Sequence, residues 1–254
     1  MASETLSVFA IVFYICLPIN QKNKRQFNFL PLVKYLYFIF RITPTIDKEP
    51  TFLKSVPAGV MIGLGVTAFI SSENKVFGSI LFCLGLFGIC AFGFNLFTGK
   101  IGYVIPTKNN PNCLMIWLGN LVGCLITTVP LRFANPKYNE AAVVLAENKL
   151  SQNFLQTFIL GIFCGMIMYI VVENYSANSS PLGKYLGIFL GIPAFIFAGF
   201  EHSIADICYF SYAASSLEQV AKMFVYILTV SVANGVGSII FRAFTVMYKE
   251  KVKK

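Results

Sequence analysis

Ala198-Gly199-Phe200-Glu201-His202-Ser203-Ile204-Ala205-Asp206 decides how this chain is read. Two carboxylates and the chain's single histidine fall within six residues, in the middle of an otherwise apolar stretch. Burying ionisable groups at membrane depth costs several kcal/mol, so groups placed there face a partner, a cavity or a pathway. Working outward, the stretch is bounded by the apolar runs Tyr185–Phe200 and Val220–Met247. Phe52–Ile70, Val76–Leu96, Cys113–Leu131 and Phe154–Val172 are similar. Each is long enough, alone or with its flanks, to cross a bilayer core that needs about 20 helical residues. Hydrophobic residues make up 56% of the 254 positions and charged residues only 12%, and the mean hydropathy is +0.70. A soluble domain carries about 25% charged residues; this chain has too few to solvate its apolar mass. The reading is an all-α membrane protein of six transmembrane helices.

The net charge of +9 suits orientation better than nucleic-acid binding, because the basic residues gather beside the spans. Lys22, Lys24, Arg25, Lys34, Arg41, Lys48 and Lys54 precede or open the first span, and Lys249, Lys251, Lys253 and Lys254 follow the last. An even number of spans then puts both termini in the cytoplasm, and the short, nearly neutral Ser71–Lys75 loop outside agrees. The seven cysteines form no CxxC pair. Their spacing fits neither a disulfide framework nor a metal site, and inside apolar spans they act as small hydrophobes.

Three segments follow: 1–50, amphipathic or partly membrane-associated; 51–248, the transmembrane domain; and 249–254, a basic cytoplasmic tail. Leu6–Ile19 is too short for an ordinary span. Phe27–Ile42, interrupted by Pro31, Lys34 and Arg41, suits a surface helix, with an extra span as the alternative.

From Thr51 onward, two groups of three spans correspond. The second span of each is broken by a polar patch, Asn95-Leu96-Phe97-Thr98-Gly99-Lys100 in the first group and Gly199–Asp206 in the second. The third carries Gly119-Asn120 or Asn234-Gly235. Three spans per half invert one half against the other, and matched interruptions in inverted halves point to a transport site near the midplane. Within that frame His202 has Thr98 as its natural counterpart, with a hydroxyl able to donate to or accept from the imidazole. Glu201 and Asp206 would repel an anionic cargo, so a structural role suits them: accepting bonds from backbone N–H groups that the broken helix frees. Lys149, ahead of Ser151, opens the fourth span, where it is either a snorkelling lysine or a cation that gathers anions. Gly183, Gly187 and Gly191 step by four, a spacing that lets helices approach closely.

Leu96-Phe97-Thr98-Gly99 and the fifth-span string, supported by Gly119-Asn120 and Lys149-Leu150-Ser151, resemble the formate/nitrite transporter family over residues 51–248. That resemblance implies an aquaporin-like fold of two inverted three-helix repeats with broken second and fifth helices. It implies a homopentamer with one pathway per protomer, a plasma-membrane location, and a cargo of small monovalent anions such as formate, nitrite, lactate- or acetate-type monocarboxylates or hydrosulfide. Family roles carried over place His202 and Thr98 at the pathway centre, Lys149 in a vestibule, and Phe82, Leu86, Leu96, Phe97 and Phe195 at apolar constrictions. Asn120 and Asn234 join Glu201 and Asp206 as structural polar residues. The sequence departs from the family pattern at Asn95, Lys100 and Asp206, in the Asn234-Gly235 order, and at Gly165.

The implied mechanism is proton-linked. Lys149 draws in an anion, apolar rings strip its water, and dehydration raises its proton affinity so that it passes as the neutral acid. His202 relays the proton or only supplies a polar contact. A channel for water or small neutral solutes is the rival reading. It would carry paired Asn-Pro-Ala boxes, and only an unpaired Ala134-Asn135-Pro136 is present. An enzyme is not expected, and neither is a cofactor: His202, Glu201 and Asp206 do not form a metal set, since adjacent helical positions point apart and no second histidine exists.

Overall fold

The structure is a computed structural model describing residues 51–104 and 111–252, all helical or connecting. Readings of residues 1–50 fall outside the described residues. The first half comprises α1 (Thr51–Ile70), α2 (Lys75–Phe92), the four-residue α3 (Phe97–Lys100), which continues as a 3₁₀ turn over Ile101–Val104, and α4 (Cys113–Ala134). A connecting helix α5 (Lys137–Leu150) leads to the second half: α6 (Phe154–Ala177), α7 (Pro181–Phe197), α8 (Ser203–Ala213) and α9 (Leu217–Val252). Among the described residues five helices are long and apolar enough to cross a membrane: α1, α2, α4, α6 and the Leu217–Lys249 stretch of α9. The remaining expected span, the fifth, appears as the shorter apolar helix α7 of 17 residues, followed after a break by the fully buried α8.

The expected second and fifth spans end earlier than their apolar runs do, for the same local reason. At Gly93 and Gly199 the backbone turns left-handed (φ +69° at both), a conformation glycine adopts without steric cost. Phe94 N–H then bonds Ile89 O (2.9 Å), and Phe200 N–H bonds Phe195 O (3.0 Å). These six-to-one bonds close each helix as a Schellman-type cap. The apolar character continues past both caps, so hydropathy alone runs the spans on.

The halves are packed alike. α1 lies along α4, and α6 along α9, at contacts that admit no side chain. A Cβ on Gly123 would come 1.9 Å from Val56 O, and one on Gly237 1.9 Å from Ile162 O. Gly59 and Gly165 press against the backbone of Asn120 and Asn234 in the same way (2.1 Å). The first break leans on the start of α1 (Asn95 N–H to Lys54 O, 3.0 Å) and beside Val172 near the end of α6. The second leans on the start of α6 (Glu201 N–H to Leu160 O, 3.4 Å), while Phe69 at the end of α1 meets Tyr209 of α8. α1 and α6 therefore run in opposite directions, and the two halves are inverted repeats. The glycine stripe of α7 fits against Asn174 and Val171 of α6 and its C-cap Asn178. The end of α9 returns to the side of the first break, where Arg242 donates to Gly102 O (3.1 Å) and Lys249 reaches Glu173 (3.5 Å).

α5 is a correction to the expected layout. Lys149 does not open a span; it lies in the last turn of this less apolar connecting helix, and α6 begins only at Phe154, after an Asn153 capping box. Ala134-Asn135-Pro136 forms the corner between α4 and α5.

Candidate functional site

Each break exposes backbone groups that no helix satisfies, and one asparagine per half satisfies them. Asn120 Oδ1 accepts from Phe97 N–H (2.8 Å), while its Nδ2 donates to Ser55 O (2.8 Å) and Asn95 O (2.9 Å). Asn234 Oδ1 accepts from Ser203 N–H (3.0 Å), while its Nδ2 donates to Gly161 O and Glu201 O (2.8 Å each). Both side chains are fully buried. The sequence reading of Glu201 and Asp206 as acceptors for the freed N–H groups is therefore corrected. An amide suits that task better than a carboxylate, because the break presents acceptors as well as a donor and only an amide serves both.

The matching bonds fix the register between the halves. Asn95 answers to Glu201, Phe97 to Ser203, and Asn120 to Asn234. It follows that His202 corresponds to Leu96, Thr98 to Ile204, and Lys100 to Asp206. Thr98 and His202 are spatial partners rather than symmetry mates.

Those two residues meet where the breaks converge. Thr98 Oγ1 lies 2.9 Å from His202 Nε2, with both residues buried. Ala205 N–H donates to His202 Nδ1 (3.1 Å), making His202 the N-cap of α8. With Nδ1 accepting, a neutral ring carries its proton on Nε2 and donates it to the threonine oxygen. Phe195 stacks on the imidazole (centroids 5.7 Å, 24°) and meets Phe82 edge-on (6.0 Å). Leu86, Leu96 and Phe97 are buried in the same core. Leu96 also lines a cavity of about 340 Å³ at the first break, between the ends of α2 and α6 and the start of α7.

Lys149 belongs to a compact ionic cluster. Its Nζ donates to Glu201 and lies 2.9 Å from Asp206 Oδ1. Gln152 Nε2 donates to the other Glu201 oxygen (2.9 Å), and Tyr226 donates to Gln152 Oε1 (3.0 Å). Neither Asp206 oxygen receives a well-directed hydrogen bond; the lysine contact is one of charge. Only 14% of the Lys149 side chain is exposed. Burial by itself lowers the pKa of its ammonium, but Asp206 and Glu201 outweigh burial and hold that pKa above its ordinary value, so the lysine stays charged. Its charge is thus balanced by two carboxylates. The spacing of Lys149 from Glu201 and Asp206 carries no sign of this contact. Among the described residues no group of His, Cys, Asp or Glu is arranged to hold a metal ion.

A family model described as formate/nitrite transporter matches residues 45–248. The chain belongs to the formate/nitrite transporter family. It is an integral, multi-pass membrane protein of a family of channels and transporters, not an enzyme. Relatives include the formate channel FocA of Haemophilus influenzae (24% identical; 63% of this chain and 66% of that one) and the formate channel FocB of Escherichia coli strain K12 (25% identical; 63% and 65%). The aligned part spans just under two thirds of the length of these relatives. Among solved structures, the fold resembles a pentameric formate channel with formate bound (TM-score 0.64, 22% identity, 80% of this chain and 96% of that one). It also resembles an FNT family ion channel (TM-score 0.67, 18% identity, 98% and 99%).

Proposed function

We propose that this protein moves small monovalent weak-acid anions of the formate class across its membrane, with a proton, as one of five identical protomers. The reading rests above all on the buried Thr98–His202 pair at the convergence of the two breaks. Phe195 stacks on the His202 ring and meets Phe82, and Leu86, Leu96 and Phe97 are buried in the same apolar core. An anion entering such surroundings loses its water, and an apolar environment penalises the charged form far more than the neutral acid. Formate, nitrite, acetate, lactate and hydrosulfide can each respond by taking a proton, whereas chloride cannot. Formate channels among the relatives favour the first of these cargoes.

His202 donates from Nε2 through Thr98 toward that centre, as a polar contact or as one member of a proton relay. The structural polar residues Asn120 and Asn234 keep both breaks open, and the Lys149–Glu201–Asp206 cluster braces the second.

The test is flux into proteoliposomes under an imposed pH gradient, with formate, nitrite, lactate, hydrosulfide and chloride compared. Uptake of the weak acids that accelerates as the external pH falls, with chloride excluded and His202→Asn altering the rate, is the expected result. Free passage of water or glycerol with no anion flux would instead establish the neutral-solute channel.

A further inference from the structure

The ionic cluster at the second break holds more negative charge than its one cation can balance. Lys149 faces both Glu201 and Asp206, so with every member ionised the cluster carries a net charge of −1. Little water reaches that charge, since the Glu201 and Asp206 side chains are 3% and 1% exposed. The two acids are also served unequally. Glu201 accepts from Lys149 at one oxygen and from Gln152 at the other. Both Asp206 oxygens are without a hydrogen bond, and so is the buried hydroxyl of Ser203 one turn earlier on α8. Buried polar atoms are nearly always partnered, so an orphaned carboxylate calls for a donor. The surrounding elements present Tyr209 of α8, Tyr226 of α9, Cys164 of α6 and the His202 ring. α1 meets α8 through Thr67 and Phe69. From α4 the charged group is Arg132, which donates to Ser211 O at the opposite end of α8 (3.0 Å).

We infer that Glu201 and Asp206 bind one proton between them, carried on Asp206 and shared with Glu201, and that this proton-binding dyad sets the charge of the cluster. Two carboxylates at one site resist ionising together. A proton on Asp206 also supplies the missing donor, because it turns one carboxylate oxygen from an acceptor into an O–H, and the Glu201 side chain is within hydrogen-bond reach of it. Asp206 takes the proton because Glu201 already accepts two directed bonds, which favour its charged form. The proton comes from water and returns to it; no other bond changes. The first half has no such device, since Asn95 answers to Glu201 and Lys100 to Asp206 in the inverted register. With the proton the cluster is neutral, and without it the net charge is −1. The consequence for flux rests on the transport reading: release of the proton in alkali sets an uncompensated negative charge beside His202 and slows an anionic cargo.

The chain's only other aspartate is Asp47. The full-length Asp47→Asn variant, made by cell-free synthesis with aspartate labelled at its side-chain carboxyl carbon, therefore carries a single labelled acid at Asp206. Infrared spectra of labelled and unlabelled protein in lipid are compared from about pH 6 to about pH 9, a window in which ordinary carboxyl and lysine groups hardly titrate. The expected result is an isotope-shifted C=O stretch of undissociated acid at the lower pH that weakens as the pH rises. Label seen only as carboxylate at the lower pH, with or without a response to added sodium, overturns the dyad. Flux supplies the second readout. The ratio of Asp206→Asn to wild-type weak-acid flux cancels the effect of pH on the cargo itself. That ratio should rise about fivefold across the window, the factor by which a unit charge about 4 Å away in water changes the local concentration of a monovalent ion. A ratio that stays flat overturns the control of flux by the cluster's charge. Absence of anion flux in both proteins overturns the transport reading and leaves the infrared result standing.

Discussion

Replacing Asn120 by alanine removes three hydrogen bonds at once, and the inverted register requires Asn234→Ala to do equal harm. At each site the substitution strands one backbone N–H and two carbonyl oxygens, bonded at 2.8–3.0 Å in the intact protein. A buried polar group left without its partner costs about 1–3 kcal/mol. The three losses overlap, since the break can relax and a water can enter the space the amide leaves, so about 3–5 kcal/mol is expected per site. For soluble domains of roughly this length each kcal/mol lowers the melting temperature by about 2–4 °C, which puts the drop near 6–20 °C. The assay is thermal unfolding in detergent followed by tryptophan fluorescence; the chain's single tryptophan, Trp117, lies one turn from Asn120 and donates to Ser231 of α9 (3.0 Å), so it reports on both halves. Asn120→Asp and Asn234→Asp keep the acceptor and lose the donor, and should fall between wild type and alanine if the carboxylate does not add a penalty of its own. Two alanine variants that melt with the wild type, or one that falls while its mate does not, would refute the claim that these asparagines are the equivalent supports of the two breaks.

Thr98→Val keeps the shape of the threonine and removes the oxygen 2.9 Å from His202 Nε2; weak-acid flux should fall at least tenfold in proteoliposomes while the melting temperature drops by only the equivalent of about 1–3 kcal/mol. Gly123→Ala and Gly237→Ala each drive a Cβ to 1.9 Å from a carbonyl oxygen, whereas Gly235→Ala meets only the Ile101 side chain at 3.1 Å; the first two should lower expression of folded protein sharply in fluorescence-detected size exclusion, and the third should not. Lys149→Met leaves two buried carboxylates facing one another and should destabilise by about 3–5 kcal/mol, with much of that recovered when Asp206→Asn is added. Because the folded lysine holds its proton above the ordinary value of 10.5, its contribution is complete below that pH and is lost only as pH rises through the folded value. The gap between wild type and Lys149→Met in melting temperature should therefore not close between neutral pH and that point, and a gap that closes in that range would count against the pairing.

Much of this protein is local in its sequence and so was legible there. Long uncharged runs specify membrane helices because lipid leaves no alternative for unpaired backbone. The polar patches Asn95–Lys100 and Gly199–Asp206 marked the breaks, whereas the left-handed turns at Gly93 and Gly199 that end the helices are seen only in the structure. The string Gly199–Asp206, with Leu96-Phe97-Thr98-Gly99, identified the family, and the Thr98–His202 partnership followed from the resemblance. What the chain alone did not decide was which polar group answers which. Asn120 reaches Ser55 and Asn95, Asn234 reaches Gly161 and Glu201, and Lys149 reaches Glu201 and Asp206. All of these partners are 25 to 73 residues away in the chain, and no spacing rule links them. Spacing gave Glu201 and Asp206 the task that the asparagines perform, and it left Lys149 without its counter-charges. Only the inverted packing of the halves sets Lys100 opposite Asp206 and gathers Lys100 and Lys184 around one cavity. A residue's type limits the bonds it can make; the tertiary fold chooses among them, because a buried group must take the partner that packing brings within reach.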